Sequence, residues 1–227
     1  MNIVKSFRNL SKFETMIWCV SIGLILLSFA MVRDSNELTV IASLVGATAL
    51  IFVGKGDALG QFLTLVFSIL YAIISYQFRY YGEMITYIGM TAPTAFIAMV
   101  NWLKHPYQEC EVEVRVLTRK HYVFLAVSAV LVTGVLGFVL KLFHTANLQL
   151  SIISITTSYL ASMLMVLRSQ YYAAAYAAND IILICLWILA TLENSSYMPM
   201  IICFLIFLVN DIYGFINWRR IQKRQEQ

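Results

Sequence analysis

The chain has 227 residues, of which 60% are hydrophobic and only 12% charged, with a formal net charge of +4. The charges gather in short clusters between apolar stretches of membrane-spanning length, which excludes a soluble fold, where they would be scattered. The basic excess acts first as an orientation signal and requires no nucleic-acid partner.

A bilayer core about 30 Å thick takes about 20 apolar residues per helix. Eight segments approach that length, at 15–32, 38–54, 59–78, 84–103, 121–140, 149–167, 172–192 and 199–217. The expected fold class is therefore all-α integral membrane, with eight transmembrane helices embedded in the lipid bilayer. The first segment follows a basic stretch but is longer than a signal-peptide core. It ends Ala30-Met31-Val32-Arg33 without a small-x-small cleavage site, so it is expected to remain as an anchor.

Segments two and three are joined by Gly54-Lys55-Gly56-Asp57-Ala58-Leu59-Gly60, a turn rather than a phosphate cradle because both flanks are membrane helices. In segment three Thr64, Ser68, Tyr71 and Ser75 are spaced i, i+4, i+7, i+11, one polar stripe on an otherwise apolar helix. Segment four carries Tyr87, Thr91, Thr94 and Asn101. The longest polar connection, Lys104 to Lys120, includes Glu109, Glu111 and Glu113 and separates two halves. His105, Cys110 and His121 lack zinc-ligand spacing, and Cys19, Cys185 and Cys203 lie in apolar segments, so no metal, disulfide framework or cofactor is expected.

Sliding the second half back by 116 positions superimposes Asn101-Trp102 on Asn217-Trp218, Met84-Ile85 on Met200-Ile201, Leu70 on Leu186 and Tyr71 on Trp187. Segments two to four then fall on six to eight, with segment five as a linker and segment one outside the repeat. A three-helix unit plus one linker helix returns the second unit to the same orientation, an arrangement known in small sugar transporters. The expected organisation is 1–36 as an N-terminal segment and extra helix, 37–104 as the first repeat and 105–148 as loop and linker helix. It continues with 149–218 as the second repeat and 219–227 as a basic tail.

The repeat aligns the stripe of segment three with Asp180, Ile184, Trp187 and Thr191 in segment seven, continued by Tyr176 and Asn179. Segment eight supplies Asn210, Gly214 and Asn217, with Tyr213 beside them. The four stripes can converge on one cavity, or the small polar residues can be interhelical glue. Within the spans the acids are Asp180 and Asp211, and an acid in hydrocarbon needs a cavity or a partner. Trp102 and Trp218, at helix ends beside basic residues, read as interface anchors, whereas Tyr71 and Trp187 could equally stack on a substrate or pack. Asn194-Ser195-Ser196 is a glycosylation sequon on the outer side.

Thirteen Lys and Arg fall on one side of this topology and only Arg33, Arg79 and Lys141 on the other, so both termini are expected in the cytoplasm.

Lys55-Gly56, Tyr80-Tyr81-Gly82-Glu83-Met84, Pro93 and Asn210-x-x-Tyr213-Gly214-x-x-Asn217-Trp218 resemble the PnuC family of vitamin transporters over nearly the whole chain. The resemblance implies an extra first helix followed by a SWEET-like 3+1+3 parallel repeat, a homotrimer, and a bacterial inner membrane. It also implies facilitated diffusion of a small vitamin that is trapped inside by phosphorylation, with no enzyme activity in the chain itself. In one respect the chain departs from the family's nicotinamide riboside transporters, whose segment seven carries Trp-x-x-Trp followed by Asn. Here Asn179 is kept, while Tyr172 and Ala175 stand at the Trp positions. That favours another cationic heterocycle, thiamine, with nicotinamide riboside as the alternative; a carboxylate-pair enzyme using Asp180 and Asp211 is the reading from a different class. Thr64, Ser68, Tyr71, Tyr87, Thr91, Thr94, Tyr172, Tyr176, Asn179, Asp180, Trp187, Asn210, Tyr213 and Asn217 are the expected substrate contacts.

Overall fold

The computed structural model describes residues 3–31, 37–77, 81–108, 110–145, 147–193 and 195–227. Val32, Arg33, Phe78, Arg79, Tyr80, Glu109 and Asn194, which enter the expectations above, lie outside the described residues.

A short helix, α1 (Ile3–Arg8), precedes α2 (Lys12–Ala30), which opens at a capping box. The Ser11 hydroxyl accepts from the Glu14 amide at 3.2 Å and the Glu14 carboxylate from the Ser11 amide at 2.7 Å, so two otherwise orphaned donors are satisfied. α3 (Glu37–Lys55) and α4 (Ala58–Gln77) meet at Gly56, whose φ of 81° is a left-handed turn that suits glycine. The next span is composite: α5 (Tyr81–Thr86), a π turn (Tyr87–Thr91) and α6 (Ala92–Lys104). Pro93 has no N–H to give, and just ahead of it the ladder widens so that the Ala92 N–H bonds the Tyr87 carbonyl. The remaining helices are α7 (Arg119–Leu142), α8 (Leu148–Val166), α9 (Tyr172–Glu193) and α10 (Met198–Gln225). Among the described residues eight spans are long and apolar enough to cross a membrane, α5 to α6 counting as one, so the chain is a multi-pass membrane protein.

Two features differ from expectation. The polar connection holds a small antiparallel hairpin, β1 (Pro106–Gln108) with β2 (Glu111–Val112), and α10 runs on to Gln225 instead of ending in a tail. They explain each other. Val114 donates its N–H to Gln225 at 2.7 Å, Gln225 donates to Val112 at 3.1 Å, and Arg224 pairs with Glu111. The connection also bonds both helix turns, Val112 N–H to the Gly56 carbonyl and Arg115 N–H to the Arg168 carbonyl, each at 2.9 Å.

α3 packs on α4 and α4 on α6; α8 packs on α9 and α9 on α10. Between the two groups α3 meets α10 and α6 meets α8. α2 lies against α3 and α10, and α7 against α8, with Val123, Val127, Val130, Leu131 and Phe138 exposed as a lipid-facing surface.

The α3–α4 turn recurs at α8–α9, 112 positions later: Gly56 and Arg168 are the left-handed residues, with φ of 81° and 59°. The Gly56 N–H bonds Val53 and the Arg168 N–H bonds Met165, while Asp57 and Ser169 bond Phe52 and Leu164. The buried face recurs at the same interval, with Gly60, Gln61, Phe67, Ser68, Tyr71 and Ser75 answering to Tyr172, Ala173, Asn179, Asp180, Leu183 and Trp187. The interval becomes 116 only in the last helix of each group, where buried Tyr87, Ala98 and Trp102 answer to Cys203, Gly214 and Trp218. Asp180 therefore matches Ser68, and Trp187 matches Ser75 rather than Tyr71. The extra four residues are one more turn at the end of α9. That keeps the helix face but moves depth by about 6 Å.

Trp102 and Trp218 are buried, not placed as interface anchors. Their rings meet between the two groups, 5.3 Å apart.

Candidate functional site

A cavity lies between the two groups. α3, α4, the π turn, α8, α9 and α10 all line it, whereas among the described residues α2 and α7 contribute none. The small residues of α3 make the room: a Cβ on Gly46 would come within 2.6 Å of the Phe207 ring and 3.0 Å of Phe67.

One wall is aromatic. Phe67 lies 5.9 Å from Tyr87 and 5.7 Å from Phe207, and Phe207 lies 5.5 Å from Phe204, in edge-to-face contacts that fix the rings. The π turn brings both Tyr87 and Thr91 to this wall. The polar side belongs to α9, α10 and α8. Asn179 accepts from Thr157 at 2.8 Å and Ser154 at 3.3 Å, which aims its amide from a fixed support. Tyr176 Oη lies 2.9 Å from Ser162 Oγ.

Asp180 and Asp211 both line the cavity, both are buried, and their carboxyls are within hydrogen-bonding reach of each other. Asp180 Oδ2 has no hydrogen-bond partner among the described residues. Among the described residues no Lys, Arg or His lines the cavity. Buried carboxyls are normally paired with a cation, so a cavity with two and no base is complementary to a positively charged ligand. The aromatic wall adds an attractive surface for a flat cation.

Of the expected contacts, Thr64, Tyr87, Thr91, Tyr176, Asn179 and Asp180 line this cavity. Ser68 and Thr94 give their hydroxyls to their own helices, to the Thr64 and Met90 carbonyls. Tyr71 stands behind the wall, 4.3 Å from Tyr87. Tyr172 packs on Trp218 at 4.7 Å. Trp187 lines a second cavity further along α9. Asn210 donates to Ser21 at 3.2 Å and Tyr213 to Glu14 at 2.8 Å, so both face α2; Asn217 donates to the Gly54 carbonyl at 3.0 Å. The sequence pattern passed over Ser158 and the rings of Phe67, Phe204 and Phe207, because apolar rings in a span read the same toward a cavity as toward lipid. Asp211 carried its own signal, an acid within a span.

A family model described as nicotinamide mononucleotide transporter matches residues 36–220. The chain is 29% identical to a nicotinamide riboside transporter PnuC of Neisseria mucosa, over 96% of this chain and 85% of the relative. It is 26% identical to a protein of the same name from Haemophilus influenzae, over 82% and 81%. A solved structure titled as the crystal structure of the vitamin B3 transporter PnuC superimposes with a TM-score of 0.83. It is 28% identical, with 96% of this chain and 94% of that chain covered.

Proposed function

The chain belongs to the nicotinamide mononucleotide transporter family, and we propose that it carries nicotinamide riboside through the cavity between its two three-helix groups. The observation that carries this reading is the pairing of Asp180 and Asp211 against an aromatic wall, with no basic side chain lining the cavity among the described residues, which suits a cationic nicotinamide ring.

The relatives' names support nicotinamide riboside over thiamine. Tyr172 and Ala175, the substitutions that favoured thiamine in the sequence, are not among the residues lining the cavity, so they weigh little against nicotinamide riboside. The recurring turns and buried faces support a SWEET-like 3+1+3 repeat with α2 as the additional helix and α7 as the linker. Movement is down the substrate gradient into the cytoplasm of a bacterium, across its inner membrane, with both termini inside as the basic residues indicate. Trapping by phosphorylation and a homotrimer follow from the family resemblance. An enzyme reading of Asp180 and Asp211 would need a nucleophile, metal or cofactor beside the pair, and family membership favours transport.

A ligand that binds only the folded state adds about 2.7 kcal/mol of stability at a hundredfold excess over Kd. Nicotinamide riboside should raise the melting temperature of the purified protein and thiamine should leave it unchanged; the reverse pattern would overturn the choice of vitamin.

A further inference from the structure

We propose that the second cavity is a binding site for organic cations, a vestibule that loads the central site from the face opposite the basic helix ends. The assignment rests on the reading that the transported molecule is a cation. This cavity is lined by Glu83, Glu193, Thr145, Asn147 and Ser151, with Trp187 as an aromatic wall. Leu183 lines both cavities, so the two share a wall.

Charge is distributed unevenly between the cavities and the rest of the chain. The chain has 16 Lys and Arg against 12 Asp and Glu, yet among the described residues the two cavities take four acids and no base. Among the described residues, neither Glu83 nor Glu193 takes part in an ion pair. A concave surface lined by carboxyl groups without a basic partner favours cations, and an aromatic face selects organic ones.

The site is also held in place. A Cβ on Gly82 would come within 2.9 Å of Leu140 and 3.1 Å of Thr145, so this glycine lets the start of α5 press against the α7–α8 connection and sets where Glu83 stands. Thr145 Oγ1, buried beside it, has no hydrogen-bond partner among the described residues and can bond a ligand hydroxyl or amide.

Calorimetric titration of the detergent-purified full chain with nicotinamide riboside tests this. The parent should bind two molecules per chain, one tightly and one weakly. Asp180→Asn should lose the tight event and keep the weak one. Glu83→Gln and Glu193→Gln should each weaken the weak event by about tenfold. Glu193 is exposed, so Glu193→Gln preserves the test even if Glu83→Gln does not fold. A single event in the parent that Asp180→Asn abolishes would overturn the vestibule and leave the central site standing. A single event abolished by Glu193→Gln and untouched by Asp180→Asn would overturn the central site instead. No binding at all overturns both. Displacement of the weak event by sodium but not by tetramethylammonium would make this an inorganic-cation site and contradict the proposal.

Discussion

Trp102 and Trp218 cross between the two helix groups, each giving its indole N–H to a carbonyl of the opposite group: Trp102 to Met165 at 3.1 Å, Trp218 to Val53 at 2.9 Å. Asn101 and Asn217 repeat the exchange, to Val166 at 2.7 Å and Gly54 at 3.0 Å. The basic ends of the helices are thereby bolted together beneath the central cavity, with Tyr172 packed on Trp218.

Truncating either indole removes a large buried ring, which in protein cores costs about 3–5 kcal/mol. Trp218→Ala should therefore lower the melting temperature sharply while the protein that remains folded binds nicotinamide riboside with about the parent's affinity. Calorimetry and thermal denaturation on the same preparation separate the two effects. Lost affinity at unchanged stability would put the indole in the substrate site.

Asp180 and Asp211 have the opposite balance. Two adjacent buried carboxyls without a cation are a cost to the empty protein, so Asp180→Asn and Asp211→Asn should be at least as stable as the parent. Each should nevertheless weaken binding tenfold or more, about 1.4 kcal/mol. Unchanged affinity in both variants would remove the carboxyl pair from the account.

The bond from Tyr213 to the Glu14 carboxylate ties α10 to α2. Hydrogen bonds to charged groups contribute about 1.5–3 kcal/mol, so Tyr213→Phe should lose stability and keep affinity. Asn210→Ala should behave alike, since its amide serves Ser21 and the Ile206 carbonyl. A selective loss of binding in either variant would return these residues to the substrate.

Gly46 tests the cavity's shape. Its added methyl would meet the Phe207 ring at 2.6 Å, and overpacking of this kind costs about 1–3 kcal/mol. Gly46→Ala should push Phe207 and Phe67 into the cavity and reduce binding along with stability. Unaltered binding would show that the ligand does not reach this wall.

The spans were legible because length and apolarity in a membrane are set by the bilayer, and each described membrane-spanning helix lies within a few residues of its expected segment except α10. There the basic run Arg219, Arg220, Lys223 and Arg224 ends the apolar stretch but not the helix, since these residues are good helix formers and Gln225 is held by the hairpin. The match between α6 and α10 was legible in the shared Asn-Trp, which makes the same crossing bonds from each group. A single interval carried back into α4 and α9 missed the extra turn, and so set Trp187 opposite Tyr71. Polar stripes on α4, α9 and α10 marked the faces turned inward, but polarity alone does not say what a face meets. Asn210 and Tyr213 serve α2, and Ser68 serves its own backbone.

The central claim is transport of nicotinamide riboside through the cavity between the two groups. Uptake of labelled nicotinamide riboside and labelled thiamine into liposomes holding the purified protein tests it most directly. The account predicts nicotinamide riboside uptake that equilibrates with the outside concentration, is not displaced by thiamine, and falls sharply in Asp180→Asn. Uptake of thiamine alone, or nicotinamide riboside uptake that Asp180→Asn leaves intact, would contradict it.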